Sequence, residues 1–274
     1  MWGCFPIYWA LLNHVNPSEV LVHRMLWSVP VLFFLVYSKP SWRLNFKESL
    51  SSKKELVFLF ITAILITINW GSYILAVNLG RVVEASMGYF LSPVINMIGG
   101  YFFFHERISK LKQLAVFFAT AGALYYVFSG DSCPWLGFLV GFTFSAYGIA
   151  RKAMFSSAVP GLYIETLVLL PFLFIFTIWY YLNFDVAFLN LNISTDILLL
   201  LAGAVTVIPL ALFNAGAKLL PMTTVGILFL ITPTIQFLVG YYLQGENVNA
   251  NQLIGFVGVW TGLIMYCYGL IKEK

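Results

Sequence analysis

Four ionisable side chains, His23, Arg24, Glu84 and Glu165, lie inside long apolar stretches of the sequence. A charge at the centre of a bilayer costs about 2.5 to 3.5 kcal/mol on insertion scales, so groups kept there are candidates for binding, gating or proton transfer. A shift of 141 residues places Arg24 over Glu165, opposite charges at corresponding positions. At about 1.5 Å per residue, Arg24 lies about 9 Å from one membrane surface and Glu165 about 8 Å from the other, too far apart to pair. The polar residues divide accordingly. One layer holds His23, Arg24, Asn78 and Glu84, and the opposite layer holds Glu165, Arg151, Asn214 and Lys218. Two layers suit two gates, with Arg24 turned toward Glu84 and Asn78, and Glu165 toward Arg151 or Lys218. The competing reading is that Arg24 and Glu165 snorkel to the headgroups along their own stems. Glu165, Glu84 and His23 are the groups able to titrate.

Between these layers, near the midplane, fall Asn69, Trp70, Tyr89, Asn96 and Gln236. They suit a polar substrate site, or interhelical hydrogen bonds worth about 0.6 kcal/mol each, with Trp70 as packing. Pro93 and Pro233 are expected mid-helix, where each frees the carbonyl four residues earlier, at Tyr89 and Phe229. A freed carbonyl is tolerated where it is buried in protein or faces a water-filled cavity. Matched prolines therefore point to a shared cavity rather than to two packing kinks. G137xxxG141 and G258xxxG262 allow helices to approach closely.

The elements that must position these residues follow from composition. The 274 residues are 61% hydrophobic and 9% charged, against about 25% charged in soluble domains. A soluble enzyme is excluded. Apolar blocks of membrane-crossing length lie near 2–12, 18–37, 55–77, 82–104, 111–128, 134–150, 160–181, 195–215, 223–243 and 252–270. They lack the two-residue alternation of a membrane barrel, which leaves helices. The first block rises only about 16 Å, so either part of helix 1 precedes the given sequence or that helix is partial. All but two of the 15 Lys and Arg residues, Arg24 and Arg81, fall in the even-numbered loops or at the C-terminus. The chain is therefore expected to be multi-pass with both termini cytoplasmic. The net charge of +4 serves orientation rather than nucleic acid. Cys4, Cys133 and Cys267 form no paired motif, three scattered histidines make no metal site, and no cofactor is expected.

A shift of 140 residues superposes Pro93 on Pro233, Gly100 on Gly240, Tyr101 on Tyr241, Glu106 on Glu246, Gly122 on Gly262 and Tyr126 on Tyr266, and a shift of 141 places Pro30 over Pro171. The chain is read as two five-helix repeats, 1–130 and 131–274. An odd helix number inverts the second repeat, so Glu106 and Glu246 should end their helices on opposite faces. Inverted repeats with matched helix breaks are the signature of secondary transporters.

HRMLWS (His23 to Ser28), NW (Asn69, Trp70), ILAVN, EASMGYFLSPVINMIGG (Glu84 to Gly100), HER (His105 to Arg107) and YIETLVLLP (Tyr163 to Pro171) give the chain its likeness to a known family. From Trp2 to about Tyr268 it resembles the RarD family of the EamA-like drug/metabolite transporter superfamily. That resemblance implies ten transmembrane helices in two inverted halves, a central cavity, and permease activity in a bacterial inner membrane. The family name carries an association with chloramphenicol sensitivity. Two departures stand out: members usually begin well before Trp2, and Ala10 stands where a Lys is common. The reading is a secondary permease for a small organic metabolite or drug, working by alternating access with proton coupling or exchange, as monomer or homodimer. Its partners are that small molecule and the lipid bilayer. An intramembrane enzyme or a non-transporting scaffold are the alternatives; the first needs a catalytic cluster at one surface, and the second tolerates apolar midplane residues.

Overall fold

The computed structural model describes residues 1–79, 88–128, 135–243 and 250–272. Every regular element among them is helical. After a 3-10 turn at Trp2–Cys4 come α1 (Phe5–Ala10), α2 (Pro17–Leu26), α3 (Ser28–Ser38), α4 (Pro40–Ser51) and α5 (Lys53–Asn78). A second 3-10 turn, Gly88–Leu91, leads into α6 (Ser92–Phe104), α7 (Lys110–Phe128) and α8 (Trp135–Ala153). The remainder is α9 (Ala158–Asn183), α10 (Ile193–Leu219), α11 (Met222–Phe229), α12 (Ile231–Leu243) and α13 (Ala250–Lys272). Among the described residues six stretches are long and apolar enough to cross a membrane: Pro17–Ser38, Lys53–Tyr73, Ala158–Asn183, Ile193–Leu219, Met222–Val239 and Leu253–Lys272. Gly88–Phe104 is a shorter apolar helix. This is a multi-pass helical membrane protein.

Local sequence explains the breaks. Asn16 caps α2, its Oδ1 accepting the Ser18 N–H at 2.9 Å, and Pro17 opens the first turn, where a missing N–H costs nothing. Pro30 sits just inside α3, and its ring disfavours continuity with the preceding turn, so α2 and α3 part at Trp27. Ser28 Oγ donates to the Arg24 carbonyl at 2.6 Å across that break. The polar stretch after α3, read from sequence as a basic loop, is the helix α4 with Pro40 at its start.

Two compact units are built from segments distant in sequence. The first comprises Met1–Ile7, Ile66–Ile149 and Leu219–Lys274, the second Tyr8–Leu65 and Ala150–Lys218. Each unit therefore draws on both halves of the chain. In the first, α7 packs along α13, and α6 along α11. The α7–α13 crossing depends on glycine. A Cβ at Gly122 would meet Gly255 O and Val259 N, and one at Gly262 would meet Ala115 O and Ala119 N. Residues 115 and 119 become 255 and 259 under the 140-residue shift, so the crossing is symmetric. Phe90, Val116, Ile227, Phe256 and Tyr266 fill the core beside it. In the second unit α9 is central, packed by α2, α3 and α4.

Candidate functional site

The second unit buries an ionic cluster where α8 hands over to α9. Arg151, in the last turn of α8, is fully buried, and its Nη1 lies 3.6 Å from Oε1 of Glu165, which is 1% exposed. The same guanidinium donates to Ser156 Oγ at 3.1 Å, Ser157 O at 3.1 Å and Ala158 O at 3.2 Å. Gly161, one turn before Glu165, makes room, since a Cβ there would overlap the guanidinium. Arg151 Nε has no hydrogen-bond partner among the described residues. Thr62 Oγ1 on α5 donates to Glu165 Oε1 at 2.6 Å and lies 3.0 Å from the Leu59 carbonyl.

The connecting segment is held from three further directions. Glu55 Oε1 accepts the Ser156 N–H at 2.6 Å, Asn45 Oδ1 accepts the Ser157 N–H at 2.7 Å, and Lys218 Nζ donates to the Met154 carbonyl. The formal charges of Glu55, Glu165, Arg151 and Lys218 cancel, which is how an apolar surrounding tolerates them. Sequence spacing paired Glu165 with Arg151 or Lys218, and the structure brings Arg151 to the carboxylate while Lys218 binds backbone. Glu55 and Thr62 were missed: one sits at a span boundary and the other is a hydroxyl in an apolar run.

A second polar cluster lies toward the other end of α9. Tyr181 is sixteen residues beyond Glu165, about 24 Å along a helix. His23, 1% exposed, accepts the Trp27 indole N–H at Nδ1, 2.9 Å away. Indole is donor-only, so His23 is the tautomer protonated at Nε2, which faces Tyr181 Oη at 3.3 Å. Arg24 Nε donates to Thr206 Oγ1 at 3.1 Å, and its guanidinium stacks 4.8 Å from the centre of the Trp9 ring. The expected partners of Arg24 lie outside the described residues, Glu84 wholly and Asn78 in its side chain. Glu19 was missed in sequence. Its carboxylate, 1% exposed, accepts the backbone N–H groups of Ala187 and Phe188 at 2.9 to 3.0 Å. The signal was there, because Asn-Pro-Ser-Glu is a helix start and not merely polar punctuation.

The residues expected near the midplane fall in the first unit. Asn69 Nδ2 donates to the Val140 carbonyl at 2.8 Å and to Thr143 Oγ1 at 3.2 Å, joining α5 to α8. Trp70 is half-buried. Both prolines are buried, but neither interrupts a continuous helix as expected. Pro93 falls in the first turn of α6 after the 3-10 turn, and Pro233 in the first turn of α12 after a break at Leu230. Proline's missing N–H and fixed φ suit a first turn, so the chain breaks before each one. The rings of Tyr89 and Phe229, equivalent under the 140-residue shift, meet at 5.3 Å. Phe144 contacts both, at 5.8 Å and 4.9 Å, and Trp2 contacts Phe144 and Phe229 at 5.6 Å and 5.5 Å.

Asn96 is buried where α6 meets α11, and its Oδ1 has no partner among the described residues. Gly226 permits that approach: a Cβ there would come within 2.9 Å of Pro93 Cα and 3.0 Å of Asn96 Cβ. Gln236 Nε2 donates to the Trp2 carbonyl at 3.3 Å. Glu106 ends the α6 turn, in which His105 takes a left-handed φ of 52°. Its carboxylate accepts the N–H groups of Met222 and Thr223, at 2.7 Å and 3.3 Å, at the start of α11. Glu246, its counterpart under the 140-residue shift, lies outside the described residues.

Residues 1–128 match the EamA-like transporter family. Over its full length the chain is 35% identical to the uncharacterized transporter YojE of Bacillus subtilis, covering 92% of that protein. It is also 33% identical to the protein RarD of Escherichia coli, covering all of this chain and 92% of RarD. The chain belongs to the RarD family of EamA-like transporters. A solved crystal structure with 14% identity superposes with a TM-score of 0.73, covering 100% of this chain and 95% of the other, which shows a shared fold. RarD-family membership makes the chain a transporter of the bacterial kind, with a small-molecule cargo and a membrane setting.

Proposed function

We propose that the chain is a secondary permease that moves a small organic metabolite or drug across the bacterial inner membrane by alternating access. The observation that carries this reading is the pair of polar clusters at opposite ends of α9, one around Arg151 and Glu165, the other around His23, Arg24 and Tyr181. Buried charges held by partners on several helices can be separated and re-formed, which is what a gate requires. The Glu165 cluster is the inner gate, and the His23 cluster belongs to the outer one. With the basic loops on the inner side, both termini are cytoplasmic. Symmetric contacts support the inverted repeats 1–130 and 131–274, because Tyr89 meets Phe229 and the Gly122 and Gly262 contacts exchange under one shift. Asn69, Trp70, Tyr89, Asn96 and Gln236 are the residues of the substrate path, with Pro93 and Pro233 shaping it. Lys218 braces the inner gate.

The test is uptake and release of a labelled metabolite and drug panel by proteoliposomes holding the purified chain. At least one compound should be moved without ATP, and Glu165→Gln should slow that movement at least tenfold while the protein elutes as wild type. No flux of any panel compound, or full flux in Glu165→Gln, would remove the gate reading.

A further inference from the structure

Thr62 is placed between two acceptors and has one proton to give. Its Oγ1 lies 2.6 Å from Glu165 Oε1 and 3.0 Å from the Leu59 carbonyl. A hydroxyl donates once but accepts twice. With Glu165 ionised, Thr62 donates to the carboxylate. With Glu165 protonated, the carboxyl donates to Thr62 Oγ1, and Thr62 turns its proton to Leu59 O, which keeps a lone pair beyond its helical bond. In both states Thr62 and Glu165 keep a hydrogen bond between them inside a closed site, since Thr62 is 0% exposed and Glu165 1% exposed. A valine, isosteric with threonine, would fill the same space but serve neither state.

The surrounding groups define when each state holds. Arg151 faces the carboxylate from α8 at 3.6 Å, a distance longer than a hydrogen bond, and its three hydrogen bonds go to Ser156, Ser157 and Ala158 instead. The guanidinium stands beside the carboxylate, yet moving Glu165 away breaks none of those three bonds. Glu55 on α5 and Lys218 on α10 face the same connecting segment through Ser156 N–H and Met154 O. From α4 the site is met by the uncharged Asn45, while Arg43, Lys47 and Glu48 are exposed. On α9 itself Tyr163 lies two residues away, and the charged groups of α2 belong to the cluster at the other end.

We propose that Glu165 is the proton-binding site of this transporter and that Thr62 is the positioning residue that serves both of its protonation states. This rests on the inner-gate reading above. In the closed state the carboxylate is ionised beside Arg151. When the gate opens, one proton from water joins a carboxylate oxygen, the Thr62 proton turns from that oxygen toward Leu59 O, and the neutral carboxyl can leave the guanidinium. No covalent bond other than O–H changes.

The full chain, with Cys4, Cys133 and Cys267 replaced by Ser, is titrated by infrared difference spectroscopy. In parallel, labelling of Met154→Cys by a water-soluble maleimide is followed, since Met154 is buried in the closed cluster. In wild type a carboxylic-acid band should grow on acidification, accompanied by faster labelling, and the band should vanish in Glu165→Gln. Thr62→Val should tighten proton binding about tenfold, because the lost bond to the ionised form is the stronger of the two. The titration midpoint then moves about one pH unit. Thr62→Ser should restore both midpoint and band position. A titrating band unaffected by Glu165→Gln overturns the proton site, and an unmoved midpoint in a folded Thr62→Val protein overturns the switch. If the band is lost in Glu165→Gln while labelling is identical to wild type at every pH, the proton site stands and the gate reading falls.

Discussion

Replacing Arg151 by Met keeps an unbranched, flexible side chain, though a shorter one, and removes its charge and every donor. The wild-type guanidinium is fully buried, holds three oxygen acceptors on Ser156, Ser157 and Ala158, and stands 3.6 Å from Glu165. Arg151→Met leaves the carboxylate buried beside a thioether. Breaking a buried pair by removing one partner costs about 3 to 5 kcal/mol, whereas replacing both partners by neutral groups is often close to neutral. Glu165→Gln should be milder than Arg151→Met, because the amide can still accept from Thr62. The double variant should then be more stable than Arg151→Met alone, with a coupling energy of about 2 kcal/mol inside the range seen for contacting residues. For a chain of this size a loss of 3 to 5 kcal/mol lowers Tm on the order of 10 °C. Thermal unfolding of the four proteins in one detergent closes the cycle. If the two single effects add within about 0.5 kcal/mol, the pair is not an energetic unit, and its use as a gate latch fails with it.

Glu106→Gln should loosen the start of α11, since an amide offers one accepting oxygen where a carboxylate now receives the N–H groups of Met222 and Thr223. The loss should be about 1.5 to 3 kcal/mol, read as faster hydrogen exchange at those two amides, and unchanged exchange would refute the cap. Gly226→Val should push α11 from α6, because even a Cβ would stand 2.9 Å from Pro93 Cα. A destabilisation of about 1 to 3 kcal/mol is expected in thermal unfolding, and a neutral variant would show that this contact can relax.

Helix identity and the membrane setting were legible because hydrophobicity over twenty residues is a sum, and sums survive local error. Break positions were less legible. Proline reads as an interruption anywhere in an apolar run, and only the backbone shows that Pro93 and Pro233 open new helices after a break. Partnerships across the fold were the least legible. Periodicity places Arg24 on a helix face but does not say which neighbour that face meets, and the neighbours are Thr206 and Trp9.

Three carboxylates whose backbone contacts the sequence did not reveal share one physical origin. Glu19, Glu55 and Glu106 sit at or just beyond the ends of apolar runs, where a carboxylate is ordinarily solvated. In the fold each turns onto backbone N–H groups of a distant segment: Ala187 and Phe188, Ser156, and Met222 and Thr223. Carboxylates are suited to this because they accept only, and backbone N–H groups left without an acceptor in an apolar setting are costly. Each therefore fastens a connection between helices rather than a helix to itself. Glu165 differs in that side chains, Thr62 and Arg151, are placed against its carboxylate. A carboxylate on backbone N–H groups is tied to the fold itself, whereas one met by side chains is tied through rotatable bonds, which is the basis of the proposed switch at Glu165.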